Sequence, residues 1–139
     1  MSKEYKYNTY KEALDAVRES VYNFRFIRPD LQTPEMVLDM VLRNYFNFPH
    51  IRPDLQTPEM ALVAVKHWVF NLKHVRLDLI TSKMALGAVK CNGWNLEHVP
   101  ANCQTKEVIE AALKDDPKAK QYIKTKGLMM EALEEALGE

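Results

Sequence analysis

With 139 residues, 47% of them hydrophobic, the chain has the length of one ordinary domain or a short repeat array, and too much apolar content to stay disordered. Lys plus Arg and Asp plus Glu balance at 19 each, which argues against a generic binder of nucleic acid or anionic membrane, since those carry a basic surplus. No apolar run nears the roughly 20 residues of a membrane span, the polar start MSKEYKYNTY lacks the apolar stretch of a signal peptide, and Cys91 and Cys103 form no disulfide framework, so a cytoplasmic protein is expected.

A fixed period organises the chain. Thr9, Thr33, Thr57, Thr81 and Thr105 stand 24 residues apart, and Met129 takes the same place in a partial last copy. Residues 27–36 (IRPDLQTPEM) recur letter for letter at 51–60. A period of this size is the signature of stacked repeats. The expected fold is all-α, an α-solenoid of 24-residue helix-turn-helix repeats with polar terminal caps. It forms a single helical-repeat domain over residues 1–139, with repeats starting near 9, 33, 57, 81 and 105.

Each copy opens with a helix start. Thr33 and Thr57 are placed to cap the first amides, with Pro34 and Pro58 next, where a missing N–H costs nothing. Glu35 and Glu59 then set negative charge against the positive end of the helix dipole. Met36, Leu38, Met40 and Val41, and then Met60, Leu62, Ala64 and Val65, follow a helical rather than a strand period. The helix is expected to end near the eleventh or twelfth position of the copy, with Asn92-Gly93 as an ordinary helix stop. A shorter helical segment follows, as at 70–75 or 94–99, and ends at Pro29, Pro53 or Pro100. After Asp116-Pro117 the pattern drifts, and a C-terminal capping helix is expected over 128–138.

Residues 84–100 (MALGAVKCNGWNLEHVP) carry an A-V-K…N-G…L…V-P pattern. It resembles a bacterial and viral family of short helical repeats catalogued as a domain of unknown function. The resemblance covers about residues 9–113. Copies two and three lack the Asn-Gly turn, with Tyr45 and Val69 at the position of Gly93. The resemblance implies a helical-repeat fold and no particular activity. The family's distribution implies a viral or mobile-element product that blocks a host factor.

A regular period lines up equivalent residues in rows. Tyr22, Phe46, Phe70 and Trp94 form an aromatic row, expected to pack between layers, with a stacking platform for bases as the alternative. Asn23, Asn47, Asn71 and Asn95 are expected to bond backbone of adjacent turns; exposed, they would instead read a ligand. His50, His74 and His98 share a position with Phe26 and Tyr122, which suggests a need for a flat ring. A metal set is not expected, because neighbouring helices lie roughly 8–10 Å apart and zinc needs every ligand atom about 2 Å from one point. Arg28, Arg52 and Arg76 run beside Asp30, Asp54 and Asp78, and both rows fail in the fourth copy, which suggests pairing across turns. Lys66, Lys90 and Lys114 read as a solvated row at helix ends.

No nucleophile, paired carboxylate or metal cluster suggests catalysis; Cys91, Cys103 and His98 share a copy without a spacing that makes a dyad. The expectation is therefore a non-enzymatic binding module without catalytic residues, cofactor or metal. It acts as a protein–protein interaction scaffold, monomeric or a small homo-oligomer, away from membranes. The candidate contacts are the residues that break the repeat: Tyr45, Pro49, His67, Trp68, Lys73 and Glu97. Trp68 replaces the polar residue found at Asn44 and Asn92, and a large aromatic on a rigid scaffold is a typical interface anchor; the alternative tucks it into the adjacent layer. The other class of function is nucleic-acid or nucleotide binding through the Arg28, Arg52 and Arg76, Asn47, Asn71 and Asn95, and His50, His74 and His98 rows, which predicts steep salt dependence.

Overall fold

A computed structural model describes residues 4–125 and Gly127. The capping helix expected at 128–138 lies outside the described residues. Within them the chain is all-helical, without strands. Five α-helices of ten residues recur at the sequence period: α1 (Tyr10–Glu19), α2 (Pro34–Arg43), α3 (Pro58–His67), α4 (Ser82–Cys91) and α5 (Lys106–Asp115). Each is followed by a six-residue 3-10 segment: Val21–Phe26, Tyr45–His50, Val69–His74, Gly93–His98 and Pro117–Tyr122. After each of the first four comes a three-residue 3-10 turn, beginning at Pro29, Pro53, Leu77 and Ala101.

The helix starts are as the sequence predicts. Thr9, Thr33, Thr57, Thr81 and Thr105 each accept a hydrogen bond, at 3.1–3.3 Å, from the amide three residues on, in Glu12, Met36, Met60, Met84 and Val108. Each cap contributes about 1 kcal/mol. α2 packs on α3, α3 on α4 and α4 on α5, while each six-residue 3-10 segment packs on the next. The core lies between these two layers. The helices supply Met36, Val37, Met40 and Val41 and their counterparts, and the 3-10 segments supply Phe24, Phe48, Leu72, Leu96 and Ala119.

The helices stop where the sequence predicts, at the eleventh position of each copy. No described residue has a positive φ, so Gly93 is not a left-handed cap. Every α-helix instead ends on a residue in extended conformation: Ser20, Asn44, Trp68, Asn92 or Asp116. Gly93 serves close approach. A Cβ there would collide with the Ala112 carbonyl oxygen on α5, and the Gly93 amide donates to the Asp115 carboxylate at 2.7 Å. At the same position Tyr45 instead carries a ring, stacked on His67 at the end of α3.

Successive copies are also tied by a buried glutamine that the sequence reading passed over. Gln32 donates to the His50 carbonyl and accepts from the Arg52 amide, both at 2.7 Å. Gln56 repeats this with His74 and Arg76, and Gln104 with Tyr122 and Lys124. The fourth copy explains its own exception. Pro100 stands where Arg52 and Arg76 offer an amide, a glutamine there would face no donor, and the residue present is the apolar Ile80.

Two glycines test this packing in opposite directions. Gly93→Ala is expected to lower unfolding free energy by about 1–3 kcal/mol through overpacking. Gly87 lies inside α4 with nothing within 4 Å of a Cβ, so Gly87→Ala is expected to raise it by about 1 kcal/mol through helix propensity. Urea denaturation of the two variants reads both.

Candidate functional site

The 3-10 segments decide which rows face water. At three residues per turn, residues three apart share one face. The third and fourth residues of a central segment, Asn71 and Leu72 for example, are buried, which turns the second and fifth, Phe70 and Lys73, outward. The aromatic row is therefore a surface feature: Tyr22 is 69% exposed, Phe46 59%, Phe70 50% and Trp94 39%. This overturns the expectation that these rings pack between layers.

Trp68 joins this row. It is half-buried, with its ring edge-on to Phe46 at 4.5 Å and to Phe70 at 5.8 Å between centroids. Its position also has a local consequence. Ser20, Asn44, Asn92 and Asp116 each accept a hydrogen bond from the amide two residues on, whereas Trp68 gives the 3-10 segment no side-chain cap. One copy thus carries an aromatic ring where the others carry a cap. Trp68 leans on a ring of the adjacent copy and remains partly open.

The other candidate contacts fall around it. Tyr45 and His67 stack at 4.1 Å with 3° between ring planes. Lys73 is exposed one 3-10 turn after Phe70. Glu97 is exposed at the equivalent place one copy on, with its carboxylate 3.8 Å from the His98 ring. The fold thus gathers Tyr45, Phe46, His67, Trp68, Phe70 and Lys73 on one stretch of surface, while Glu97 belongs with Trp94. Phe46 and Phe70 were missed as contacts, because their exposure follows from the 3-10 geometry. Trp94 is held differently, its indole N–H donating to Asp116 at 2.6 Å.

The rows proposed for nucleic acid are largely engaged within the fold. Asn47, Asn71 and Asn95 are buried. The Asn71 amide donates at 3.1 Å both to the Ala64 carbonyl of its own copy and to the Tyr45 carbonyl of the copy before. Asn47 bonds Met40 and Val21 in the same way, and Asn95 bonds Ala88. The asparagines thus bond backbone of adjacent turns as the sequence predicts, and the alternative of a solvent-facing row does not hold for Asn47, Asn71 and Asn95. Arg52 and Arg76 pair with Asp54 and Asp78 at 2.6 and 2.7 Å, and Arg28 lies 3.2 Å from Asp30. The pairing is within one turn rather than across turns; the link across copies is from the guanidinium of Arg52 to the Pro29 carbonyl and of Arg76 to the Pro53 carbonyl. His50, His74 and His98 are half-buried. Burial, then Lys73 and His98, hold His74 below the ordinary imidazole pKa.

Among the described residues no group of three or more His, Cys, Asp or Glu side chains is arranged to hold a metal ion, and no helix is long and apolar enough to cross a membrane. Both cysteines are free thiols: Cys91 is exposed, while Cys103 is buried with its thiol donating to the Ile80 carbonyl at 3.1 Å.

Removing the Asn71 amide takes away its bonds to the Ala64 and Tyr45 carbonyls. Asn71→Ala is expected to lower stability by about 1–3 kcal/mol, and Asn23→Ala by less, because Asn23 is only half-buried and makes one such bond; chemical denaturation compares them. Because folding lowers the His74 pKa, the unfolded chain takes up a proton more readily. The contribution is full above the ordinary imidazole value of about 6.5 and is lost as pH falls through the folded one. Stability is expected to drop between about pH 7.5 and about pH 5.5, and to drop less in His74→Phe, which copies the ring at Phe26. Urea melts at the two pH values measure the difference.

Compared with protein-family models, with curated proteins and with solved structures, the chain finds no match.

Proposed function

We propose that this chain is an α-solenoid of 24-residue repeats that works as a non-enzymatic protein-binding module, with its contact surface centred on Trp68. The observation that carries the reading is the exposed aromatic row, in which Trp68 fills the gap between Phe46 and Phe70 at the loss of a backbone cap. Solvent-exposed rings on a rigid scaffold are the usual anchors of a protein interface, because they bury large area with little loss of side-chain freedom. Recurrence of the same elements and hydrogen bonds at the sequence period supports the solenoid. The resemblance of residues 84–100 to short helical repeats agrees with it, and suggests a viral or mobile-element product acting on a host factor.

A second reading has one specific observation in its favour. Exposed rings at regular intervals also suit stacking of single-stranded bases. The zero net charge and the internal engagement of the Arg and Asn rows weigh against it.

Trp68→Asn separates binding from folding. It reinstates the cap that Asn44 and Asn92 make at 2.9 and 3.0 Å, so its stability is expected to stay within about 1 kcal/mol of the parent. The purified chain and this variant serve as baits in a lysate of the native host, at low and high salt and with nuclease. A stoichiometric protein held by the parent under all conditions and lost by Trp68→Asn supports the reading. Elution of nucleic acid, or equal capture by the variant, overturns it.

A further inference from the structure

Between α3 and α4 lies an open groove of about 380 Å³, whose lining includes Val69, the chain neighbour of Trp68. Its apolar wall comes from Leu62, Val65, Val69 and Met84, and its charged rim from Lys66 and Lys83. The equivalent grooves differ. That between α1 and α2 is lined by Glu35 and Asp39 as well as Arg18 and Arg43, and that between α4 and α5 by Glu107, Glu110 and Asp115 with two lysines. The α3–α4 groove contains lysines and no acid.

Two of its residues are unfavourable for the helix that carries them. Lys83 sits in the first turn of α4, at the position of Glu35, Glu59 and Glu107 in α2, α3 and α5 and of Lys11 in α1, and α4 has no acidic residue in that turn. Positive charge there opposes the helix dipole, and the described residues offer Lys83 no hydrogen bond or ion pair. Gly87 is exposed in the middle of the same helix, with nothing within 4 Å of a Cβ. No packing requires a glycine, and it weakens the helix by about 1 kcal/mol relative to alanine. Residues that break local rules without a structural gain point to a site. Gly87 leaves the groove open for a close approach, and Lys83 supplies an unmatched cation at its edge.

We infer that this groove receives an acidic amphipathic helix of a protein partner. The inference rests on the protein-binding reading for the class of occupant, and on its own residues for the place and chemistry. The apolar wall takes a hydrophobic stripe. Equivalent positions of successive copies lie side by side, as the bonds from Asn71 to Tyr45 and from Arg76 to Pro53 require, so α3 and α4 run the same way. Lys66 is in the last turn of α3 and Lys83 in the first turn of α4. The two ammonium groups therefore mark opposite ends of the groove, roughly 10 Å apart along the axis at 1.5 Å per residue. The matching helix carries carboxylates about seven residues apart on the edge of its apolar face.

The test uses the full chain and an alanine-based helical peptide of about 15 residues, with leucines on one face and two glutamates about seven residues apart. Amide NMR shifts read binding. The expected result is saturable shifts at Leu62, Val69, Met84 and Gly87, none with the lysine version of the peptide, and affinity at least about tenfold weaker in Gly87→Leu and in Lys83→Glu. Lys83→Glu restores an acidic first turn like that of α2, α3 and α5, and a Cβ at position 87 meets nothing within 4 Å, so both variants are expected to fold, which their amide spectra check. Absence of shifts at the groove, undiminished affinity in both variants, or preferential binding of laurate or oligothymidylate overturns the inference. The lysate bait separates the two readings. A partner lost by Trp68→Asn but kept by Gly87→Leu removes the groove and leaves protein binding intact; a parent chain that captures no protein removes both.

Discussion

One amide side chain in each of the first four copies closes the break between an α-helix and the 3-10 segment that follows. Where the helix ends, the carbonyl of residue 16, 40, 64 or 88 already accepts the amide of the extended capping residue, and the asparagine seven positions on adds a second bond to the same oxygen. In the fifth copy, where Ala119 stands at this place, the chain turns in the same way, so the bond reinforces an angle that the extended capping residue sets. In Asn47 and Asn71 the second amide hydrogen crosses to the previous copy, so the bond that shapes a copy also spaces it from its neighbour. The rest depends on that geometry: the 3-10 period, the inward Phe48 and Leu72, and the outward Phe46 and Phe70.

The same constraint explains what was legible in the sequence. The threonine caps were, because an N-cap acts within four residues and Thr-Pro-Glu spells it out. The buried role of the asparagines was legible too, since a regular row of amides beside apolar residues has few other solutions. The aromatic row was misjudged because the return segment was taken to have ordinary helical spacing. With 3.6 residues per turn the ring before the asparagine can turn inward, whereas with three it cannot. At Asn92-Gly93 the helix stop was legible but the need for glycine was not: the missing side chain admits the backbone of α5. The glutamine row left a signal that could have been found. Gln32, Gln56 and Gln104 keep the period, and the one exception, Ile80, faces the one proline that removes a backbone donor.

The candidate surface was partly legible. Trp68 was marked by breaking a polar row, but its meaning depends on two neighbours, Phe46 and Phe70, whose exposure only the fold reveals. The rows that looked most chemical in the sequence, arginine beside aspartate and the asparagines, are engaged in holding copies together. Their regularity follows from that role, since every joint needs the same bonds. In the proposed function recognition falls to the irregular residues, and these concentrate in the second to fourth copies.

The segment repeated letter for letter, residues 27–36 and 51–60, straddles the junction between copies rather than the middle of one. It contains the arginine that reaches back to the preceding turn, the glutamine that reaches forward to the next, and the threonine that starts the new helix. What has been copied without change is therefore a connector, complete with both its fittings. A gene encoding such connectors can gain or lose a whole module by unequal recombination between them, and each product still joins at every seam. Length, and with it the extent of the outer surface, is a quantity that evolution can adjust here in single steps.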